Sequence, residues 1–254
     1  AIIHIGAVRG GRSFPKDTYY KANVDATKEL VKNAYNNDSR FIFCSSVGVF
    51  GAIPQTVPAD ENTPRQDDNY YHFTKNRCET IIDEYVQRGL KAVIVRPSIT
   101  YGTGDYGFPY TLIKLIQKRL LFLPNHPVKI HLTNVKLLSQ AFKNLLVNGF
   151  ESGQKYIIAD KEPVYLNEIA QFIASELRMK KYSPGIINKR YFAIAESICK
   201  KIKNEVWTSR FQLLSKDWYY NVEPAYNDLK LDEFRTIPEF RDVVEWFREN
   251  QVRK

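Results

Sequence analysis

Short apolar runs alternate with helical patterns along the first part of the chain. The runs Ile2–Ile5, Phe41–Cys44 and Ala92–Val95 are continuously apolar, which is typical of strands in a parallel sheet covered on both faces. Between them, Val24–Ala34 and Tyr71–Gln87 carry apolar residues at helical spacing. This order of strands and helices predicts right-handed crossovers, and therefore an α/β fold with a doubly wound parallel sheet.

The pattern changes after about residue 103, where turn residues and prolines become frequent. A further strand is predicted at Lys155–Ala159, and amphipathic helices are predicted at Leu166–Leu177 and Val243–Asn250. We therefore expect a sheet domain over residues 1–105 and a smaller, mixed α/β C-terminal lobe over residues 106–254. Later sheet strands can return to the first domain from the C-terminal part.

The composition is that of an ordinary globular protein. Of 254 residues, 44% are hydrophobic and 26% are charged, which excludes disordered and fibrous classes. No apolar stretch approaches the roughly 18 residues that a membrane-spanning helix needs. The three cysteines show no Cys-x-x-Cys spacing, which excludes a disulfide scaffold and a thiolate zinc site and indicates a reducing, cytoplasmic compartment. The four histidines also lack the spacing of metal ligands, so no metal site is predicted.

The positive charge is concentrated in one segment. The chain carries a net charge of +9, and the segment from Arg178 to Val206 holds eight Lys and Arg against two Glu. An apolar stripe at helical spacing runs through it, formed by Tyr191, Ile194, Ala195, Ile198 and Ile202. The favoured interpretation is a lobe helix that packs this stripe inside and leaves its lysines in solvent. The alternative is a basic amphipathic helix over residues 189–203 that lies on an anionic membrane surface. Nucleic-acid binding is not predicted, because no nucleic-acid-binding motif accompanies the charge.

Three polar segments lie where an open α/β sheet places its ligands, at the carboxyl ends of strands. Cys44–Gly51 follows a predicted strand, Tyr71–Lys75 opens a helix, and Arg96–Asp105 leaves another strand. Tyr71 and Lys75 are four residues apart and share a helix face. An ammonium group beside a phenol favours the phenolate, so we expect a lowered pKa for Tyr71.

Such a tyrosine can exchange a proton with a substrate hydroxyl or ketone, and a nearby serine hydroxyl can bind the same oxygen. The Tyr-x-x-x-Lys spacing alone is weak, since it also occurs at Tyr110/Lys114 and Tyr226/Lys230. Most such pairs are solvated helix faces. The pair at Tyr71 is distinguished by the Ser45-Ser46 strand exit that precedes it.

Several segments in the same order resemble the extended short-chain dehydrogenase/reductase family. This family contains nucleotide-sugar epimerases, dehydratases and 3β-hydroxysteroid-dehydrogenase-like enzymes. The matching segments, besides Tyr71–Lys75 and Glu79, are Ile3–Ala7, Asn23–Thr27, Asp60–Pro64, Gly153–Leu177, Asp217–Tyr219 and Val244–Phe247. The resemblance implies a Rossmann-like sheet, with residues 1–105 forming part of an NAD(P)-binding domain and residues 106–254 binding the substrate.

The resemblance also implies roles for individual residues. Tyr71 would be the acid/base, Lys75 would bind the nicotinamide ribose and lower the pKa of Tyr71, and Ser46 would orient the substrate oxygen. The dinucleotide would be flanked by Gly6, Ala7, Asn23, Pro97 and Ser98. The cofactor is NAD or NADP, the substrate is a nucleotide sugar or another secondary alcohol or ketone, and the protein is expected to be a homodimer.

The chain departs from the family pattern at its start. The family's phosphate-binding Gly-x-x-Gly-x-x-Gly loop has no counterpart here, since Gly10-Gly11 follows a different strand and lacks the spacing. The chain begins at the equivalent of the family's fourth strand, which indicates an N-terminally truncated chain with an incomplete sheet. The residues that select NAD or NADP are therefore not in the sequence. This departure supports an alternative hypothesis of a non-catalytic remnant or binding module.

Two further departures concern the substrate. Val47 and Gly48 stand where the family's dehydratases carry Asp-Glu, which argues against dehydration. Ile99 stands where many sugar epimerases carry an Asn, and its side chain can form no hydrogen bond. This substitution weakens the nucleotide-sugar hypothesis and favours a less polar substrate.

Overall fold

The computed structural model of the protein describes residues 1–9 and 14–251, so Gly10-Gly11 lies outside the described residues. Its strands are β1 (Ile2–His4), β2 (Phe41–Cys44), β3 (Ala92–Pro97), β4 (Ile99–Tyr101), β5 (Phe122–Pro124), β6 (Lys129–Ile130), β7 (Leu132–Asn134), β8 (Lys155–Ile158), β9 (Val164–Tyr165) and β10 (Gly185–Ile187). Its α-helices are α1 (Lys16–Tyr19), α2 (Ala26–Asn36), α3 (Tyr70–Val86), α4 (Phe108–Gln117), α5 (Val135–Asn148), α6 (Leu166–Glu176), α7 (Lys189–Lys201), α8 (Glu205–Ser215), α9 (Glu223–Leu229) and α10 (Thr236–Gln251). A π-helical turn (Tyr20–Asp25) leads into α2, and a 3-10 turn (Val47–Val49) follows β2.

The chain forms two compact units that interleave along the sequence. The first unit comprises residues 1–98, 139–158 and 221–231, and the second comprises the segments between them and the C-terminal segment. Strand β8 returns to the first unit from beyond residue 105, as the sequence analysis allowed. None of the helices in the described part of the chain is long and apolar enough to cross a membrane.

The first unit is built on a parallel sheet in the order β1-β2-β3-β8. Every residue of β2 and β3 is buried, which explains why these strands are continuously apolar rather than alternating. The predicted α/β fold with a parallel sheet is confirmed. The predicted strand at Phe41–Cys44 has the observed bounds, and the others differ by one or two residues at one end.

Helices α2 and α3 supply the apolar layer against this sheet. Val31 and Ala34 of α2 and Cys78 and Ile82 of α3 are buried in one cluster with Phe41 of β2. These positions follow the three- and four-residue spacing of a single helix face. Helix α3 therefore lies fixed on the sheet, and its first turn is placed beside the ends of the strands.

The second unit combines helices with short strands. Its short strands form three pairs: β4 with β7 and β5 with β10 are parallel, and β6 with β9 is antiparallel. Its last helix, α10, begins at Thr236 rather than at the predicted Val243. Pro238 lies in the first turn of this helix. Backbone N–H groups in the first turn form no hydrogen bond within the helix, so the helix can begin before the proline.

The favoured interpretation of the apolar stripe in residues 189–203 is wrong. Ile194, Ile198 and Ile202 of this stripe are 54%, 54% and 66% exposed, and only the short side chain of Ala195 is half-buried. The opposite face of α7 is the buried one, through Phe192 and Glu196. That face contacts α8, where the ring centres of Phe192 and Phe211 are 6.4 Å apart and Gln212 donates a hydrogen bond to Glu196.

Buried polar groups meet around His131 in the second unit. The carboxylate of Asp160 accepts hydrogen bonds from Tyr101 and Thr236, both at 2.6 Å, and from the Asn134 backbone N–H at 2.9 Å. His131 is 1% exposed. Its Nε2 lies 2.6 Å from the backbone oxygen of Asp160, and its Nδ1 lies 3.3 Å from a backbone N–H. These partners require a neutral imidazole that donates from Nε2 and accepts at Nδ1.

We expect the stability of the protein to fall between about pH 6.5 and pH 4 because of His131. Burial lowers the pKa of His131 from 6.5 to about 4, so unfolding in this range takes up a proton. Each pH unit then costs about 1.4 kcal/mol, or about 3 kcal/mol in total, while stability above pH 6.5 is unaffected by this group. Urea unfolding from pH 8 to pH 4.5 measures the slope. Unfolding of a His131→Gln variant should take up about one proton less than unfolding of the parent protein in this pH range. The prediction would be contradicted if the free energy of unfolding of the variant had the same slope against pH as that of the parent.

Candidate active site

The segments predicted to carry chemistry meet at one edge of the first unit's sheet. Strands β1, β2 and β3 are parallel neighbours, so their carboxyl ends lie side by side. Gly6 and Ala7 follow β1, Ser46 follows β2, and Pro97 and Ser98 close β3. This edge is where open α/β sheets bind their ligands.

Ser46 is held by the turn that it begins. Its backbone is extended, and its Oγ accepts a hydrogen bond from the Gly48 backbone N–H at 3.0 Å. The serine thereby caps the 3-10 turn that follows β2. The backbone of this turn therefore helps to fix the position of the Ser46 hydroxyl.

Tyr71 lies in the first turn of α3. The helix begins there because the Asn69 side chain accepts a hydrogen bond from the His72 backbone N–H at 2.9 Å, as a helix N-cap does. The Tyr71 side chain is half-buried and is hydrogen-bonded to Ser46. The structure therefore brings together two of the three predicted catalytic residues.

Lys75 lies one turn further along α3 and is 3% exposed. Its Nζ donates a hydrogen bond to the backbone oxygen of Cys44 at 2.8 Å and lies 4.7 Å from the centre of the Phe43 ring. Burial lowers the pKa of Lys75, and the nearby acidic groups oppose this shift. The described residues use one of its three N–H donors, which leaves donors for hydroxyl groups of a ligand at this edge.

The expected lowering of the Tyr71 pKa is wrong in this structure. Burial raises the pKa of Tyr71 well above its ordinary value, and the hydrogen bond from Ser46 offsets only part of the shift. The ammonium group of Lys75 points to the Cys44 oxygen and does not determine the shift. The phenol is therefore protonated at neutral pH and is set up to donate a proton.

Asn23 connects the segment after β1 to helix α3. It is 1% exposed, its Oδ1 accepts from the Val8 backbone N–H at 2.8 Å, and its Nδ2 donates to the Val8 oxygen and to Thr74 Oγ1, both at 3.0 Å. Thr74 Oγ1 in turn donates to the backbone oxygen of Tyr71 at 2.7 Å. Asn23 is thus a positioning residue for the Tyr71 turn.

The other predicted cofactor-binding residues lie along the same edge but differ in exposure. Gly6 and Ala7 are exposed, and no atom lies within 4 Å of the point where a Cβ of Gly6 would stand. Pro97 and Ser98 are buried, and the Ser98 backbone N–H donates to the Ile158 oxygen of β8 at 3.0 Å.

A buried ionic network beneath the site was missed by sequence reasoning. Glu79 of α3 is fully buried and accepts from Arg96 Nε at 3.0 Å, from Arg96 Nη2 at 2.8 Å and from Ser45 Oγ at 2.6 Å. Arg65 adds a third partner, at 2.9 Å from Glu79 Oε2. The network joins α3 to the exits of β2 and β3. The family resemblance marks Glu79 only as a motif residue, and its partners are too distant in sequence to be predicted.

His72 and Asp68 form a second unpredicted pair next to Tyr71. His72 Nδ1 contacts Asp68 Oδ1, and the ring centres of Tyr71 and His72 are 5.7 Å apart. The ring of His72 packs against Gly48, where a Cβ would lie 2.6 Å from His72 Cδ2. In the sequence, this pair is indicated only by the spacing of four residues between Asp68 and His72 at the beginning of α3.

Replacing Gly48 with alanine is expected to destabilise the protein by about 1–3 kcal/mol, as overpacked sites do. The new methyl group would overlap the ring of His72, which Asp68 and Asn69 hold in place. Urea unfolding measures the loss. A Gly48→Ala/His72→Ala double variant should show a much smaller additional loss than Gly48→Ala does alone. Gly6→Ala is the matched control, because that position is open, and an equal loss there would contradict the packing argument.

Comparisons with known proteins place the chain among similar sequences. A model of the NAD dependent epimerase/dehydratase family matches residues 1–130. The chain is 26% identical over 205 residues to an N-acetyl-alpha-D-glucosaminyl-diphospho-ditrans,octacis-undecaprenol 4-epimerase of Escherichia coli O157:H7, covering 74% of this chain. It is 25% identical over 256 residues to a decarboxylating sterol-4-alpha-carboxylate 3-dehydrogenase of Schizosaccharomyces pombe, covering 91% of this chain and 73% of that protein. The match spans 59% of the length of the Escherichia coli relative.

The fold is shared with solved structures of similar enzymes. UDP-glucuronic acid 4-epimerase from Bacillus cereus, solved in complex with NAD, superposes with a TM-score of 0.76 at 14% identity, covering 98% of this chain and 74% of that one. The family match covers half of the chain and includes the whole candidate site. The chain therefore belongs to the NAD-dependent epimerase/dehydratase family, within the extended short-chain dehydrogenases/reductases.

Proposed function

We propose that the protein carries out NAD-dependent redox chemistry at a secondary alcohol or ketone, of the epimerase or dehydrogenase type, through Ser46, Tyr71 and Lys75. The observation that supports this most is the hydrogen-bonded pair of Ser46 and Tyr71 with a buried ammonium group one helical turn away. All three lie at the ligand-binding edge of a parallel sheet. Family membership supplies the class of cofactor.

Each residue has one task in this mechanism. Tyr71 donates a proton to the substrate oxygen when a ketone is reduced and takes it back when an alcohol is oxidised. Ser46 hydrogen-bonds the same oxygen and holds it in place as charge develops. The raised pKa of Tyr71 favours the donating role at neutral pH. When bound, NAD accepts and returns the hydride.

The cofactor would be held by residues of the same edge. Lys75 has N–H donors for the ribose hydroxyls, and its hydrogen bond to the backbone oxygen of Cys44 keeps the ammonium at the end of β2. Gly6 and Ala7 offer an exposed backbone after β1, and Asn23 fixes the adjoining Val8. Pro97 and Ser98 would flank the nicotinamide from β3.

The substrate proposal is a nucleotide sugar or another secondary alcohol or ketone. One relative is named for a 4-epimerisation on a diphospho-undecaprenol sugar and the other for a sterol 3-dehydrogenation, and these names support a range that includes both sugars and steroids. Ile99, half-buried at the start of β4, brings no hydrogen-bonding side chain. We therefore favour the less polar members of this range.

The experiment is an assay of the purified protein with NAD and NADP against three substrate groups: nucleotide sugars, polyprenyl-diphosphate sugars and hydroxysteroids. Nicotinamide absorbance reports net oxidation, and product analysis reports epimerisation. Turnover with any group supports the proposal and identifies the substrate class. Calorimetry that detects no dinucleotide binding, together with no turnover, would favour the non-catalytic alternative.

We further propose a cytoplasmic homodimer. Cys44, Cys78 and Cys199 are all free thiols, as a reducing compartment maintains them. Light scattering of the purified protein tests the dimer, and fractionation of cells tests the compartment.

A further inference from the structure

Helix α7 turns its apolar side to solvent. Tyr191, Ile194, Ile198 and Ile202 are spaced three and four residues apart, and each is more than half exposed. A lobe helix ordinarily does the reverse, because burying an apolar side chain stabilises the fold. The orientation of α7 therefore indicates that its exposed side contacts an apolar partner that is not part of the second unit.

A buried carboxylate on the inner face of α7 is bound by Gln212 of α8 and by Lys216, which follows α8, and these contacts favour the observed orientation. Glu196 on the inner face of α7 lies 2.7 Å from Lys200 Nζ and 2.9 Å from Lys216 Nζ, and it accepts a hydrogen bond from Gln212 of α8 at 2.8 Å. Its side chain is 8% exposed. Turning the isoleucines inward would expose these partners and bring the flanking cations toward the core, at a high desolvation cost. The outward stripe is thus a built feature of the second unit.

Positive charge surrounds the stripe. Lys189, Arg190, Lys201 and Lys203 are exposed at the two ends of α7. The segment from Arg178 to Val206 carries a net charge of +6, and one of its two acidic residues is the internally paired Glu196. Two aromatic residues are also exposed in the α7–α8 hairpin, Tyr191 at 65% and Trp207 at 49%. Helices that lie in a membrane interface typically combine an apolar face with Lys and Arg and with exposed Tyr and Trp, as this segment does.

We propose that α7 is a peripheral membrane-binding helix that docks on an anionic phospholipid surface. The isoleucines enter the acyl boundary, and the flanking Lys and Arg contact the phosphate groups. A second copy of the chain fits this surface less well, because a two-fold contact would bring two segments of net charge +6 together. The proposal concerns the second unit alone and does not depend on the proposed catalytic function.

The test is flotation of the purified full chain with vesicles of phosphatidylcholine, with and without a quarter of phosphatidylglycerol. We expect binding to the anionic vesicles that falls at high salt, and little binding to the neutral ones. An Ile194→Glu/Ile198→Glu variant should lose binding. A Lys189→Gln/Arg190→Gln/Lys201→Gln variant should bind about a hundredfold more weakly, since each cation near an anionic surface contributes about fivefold.

Matched controls separate this effect from general changes of charge and hydrophobicity. Val147→Glu alters a side chain that is 71% exposed on α5, and Lys28→Gln/Lys32→Gln/Lys143→Gln removes three exposed cations elsewhere. Both controls should bind like the parent, and all variants should keep its thermal unfolding midpoint. No binding to anionic vesicles, or equal binding by the isoleucine variant, would overturn the proposal. A dimer that the isoleucine variant dissociates, without vesicle binding, would overturn it in favour of self-association.

Discussion

Replacing Tyr71 with phenylalanine is expected to reduce turnover by about 10²–10⁴-fold while leaving the fold intact, because proton transfer by a positioned side chain contributes that much. The variant keeps the ring that packs beside His72 and removes only the oxygen that is hydrogen-bonded to Ser46. The loss should fall on kcat. The affinity for dinucleotide should change little, since Lys75 keeps its contact with Cys44.

The chain offers a matched control in a second Tyr-x-x-x-Lys pair. Tyr110 is half-buried on α4, and Lys114 lies over its ring at 5.5 Å. Tyr110→Phe removes the same oxygen from the same spacing and should retain parent turnover. Steady-state kinetics with the substrate found in the panel assay, and circular dichroism of both variants, measure the difference. Full turnover by Tyr71→Phe would refute the assigned role of this residue.

Replacing Glu79 with glutamine is expected to lower the free energy of unfolding by about 3–5 kcal/mol, the cost of removing one partner from a buried ion pair. The Arg96 guanidinium is 1% exposed, and its Nη1 has no hydrogen-bond partner within the part of the chain that the structure describes. Without the carboxylate, its charge would be buried uncompensated. One of the two carboxylate oxygens would also become an NH2 group, which cannot accept from the donors that now face the carboxylate, Arg96, Arg65 and Ser45.

The control for this variant is Asp83→Asn, one turn further along α3. Asp83 also binds Arg65 and Lys155, but its side chain is 33% exposed. Solvent-accessible pairs contribute only about 0–1 kcal/mol, so urea unfolding should separate the two variants clearly. Equal losses in both would show that the Glu79 network contributes no more than a surface pair.

The acid sensitivity of Glu79→Gln should also differ from that of the parent protein. Burial alone would raise the pKa of Glu79, but Arg96, with Arg65 and Ser45, more than offsets it and holds the pKa below its usual value. This stabilisation is present above the ordinary pKa of 4.5 and is lost as the pH falls below it. Glu79→Gln should therefore lose less stability between pH 5 and pH 3 than the parent protein does.

The pattern of apolar residues along the chain is sufficient to predict the central sheet. Continuous apolar runs at Phe41–Cys44 and Ala92–Val95 identify β2 and β3, because a strand covered on both faces has no polar side. The ligand-binding edge follows from the parallel order, and the family motif then points to Tyr71 and Lys75. Helix α10 begins seven residues before the predicted Val243, and Pro238 in its first turn is compatible with that earlier start.

The environment of each site residue could not be predicted in the same way. The partners of the site residues come together only once the chain is folded. Asn23 then contacts Thr74, His72 contacts Asp68, and Glu79 contacts Arg96. The pKa of Tyr71 has the opposite direction to the one expected from its spacing to Lys75, because burial is a property of the folded site and outweighs the local charge.

The sequence by itself determined the class of fold, the order of the sheet elements, the family and the position of the charge between Arg178 and Val206. The tertiary structure decided which side of α7 faces solvent and in which direction the pKa of Tyr71 is shifted. The periodicity of α7 marks two faces but does not say which one is buried. That choice depends on partners from elsewhere in the chain, here Gln212 and Lys216 around Glu196. Amphipathic patterns specify a helix, whereas only its neighbours specify its orientation.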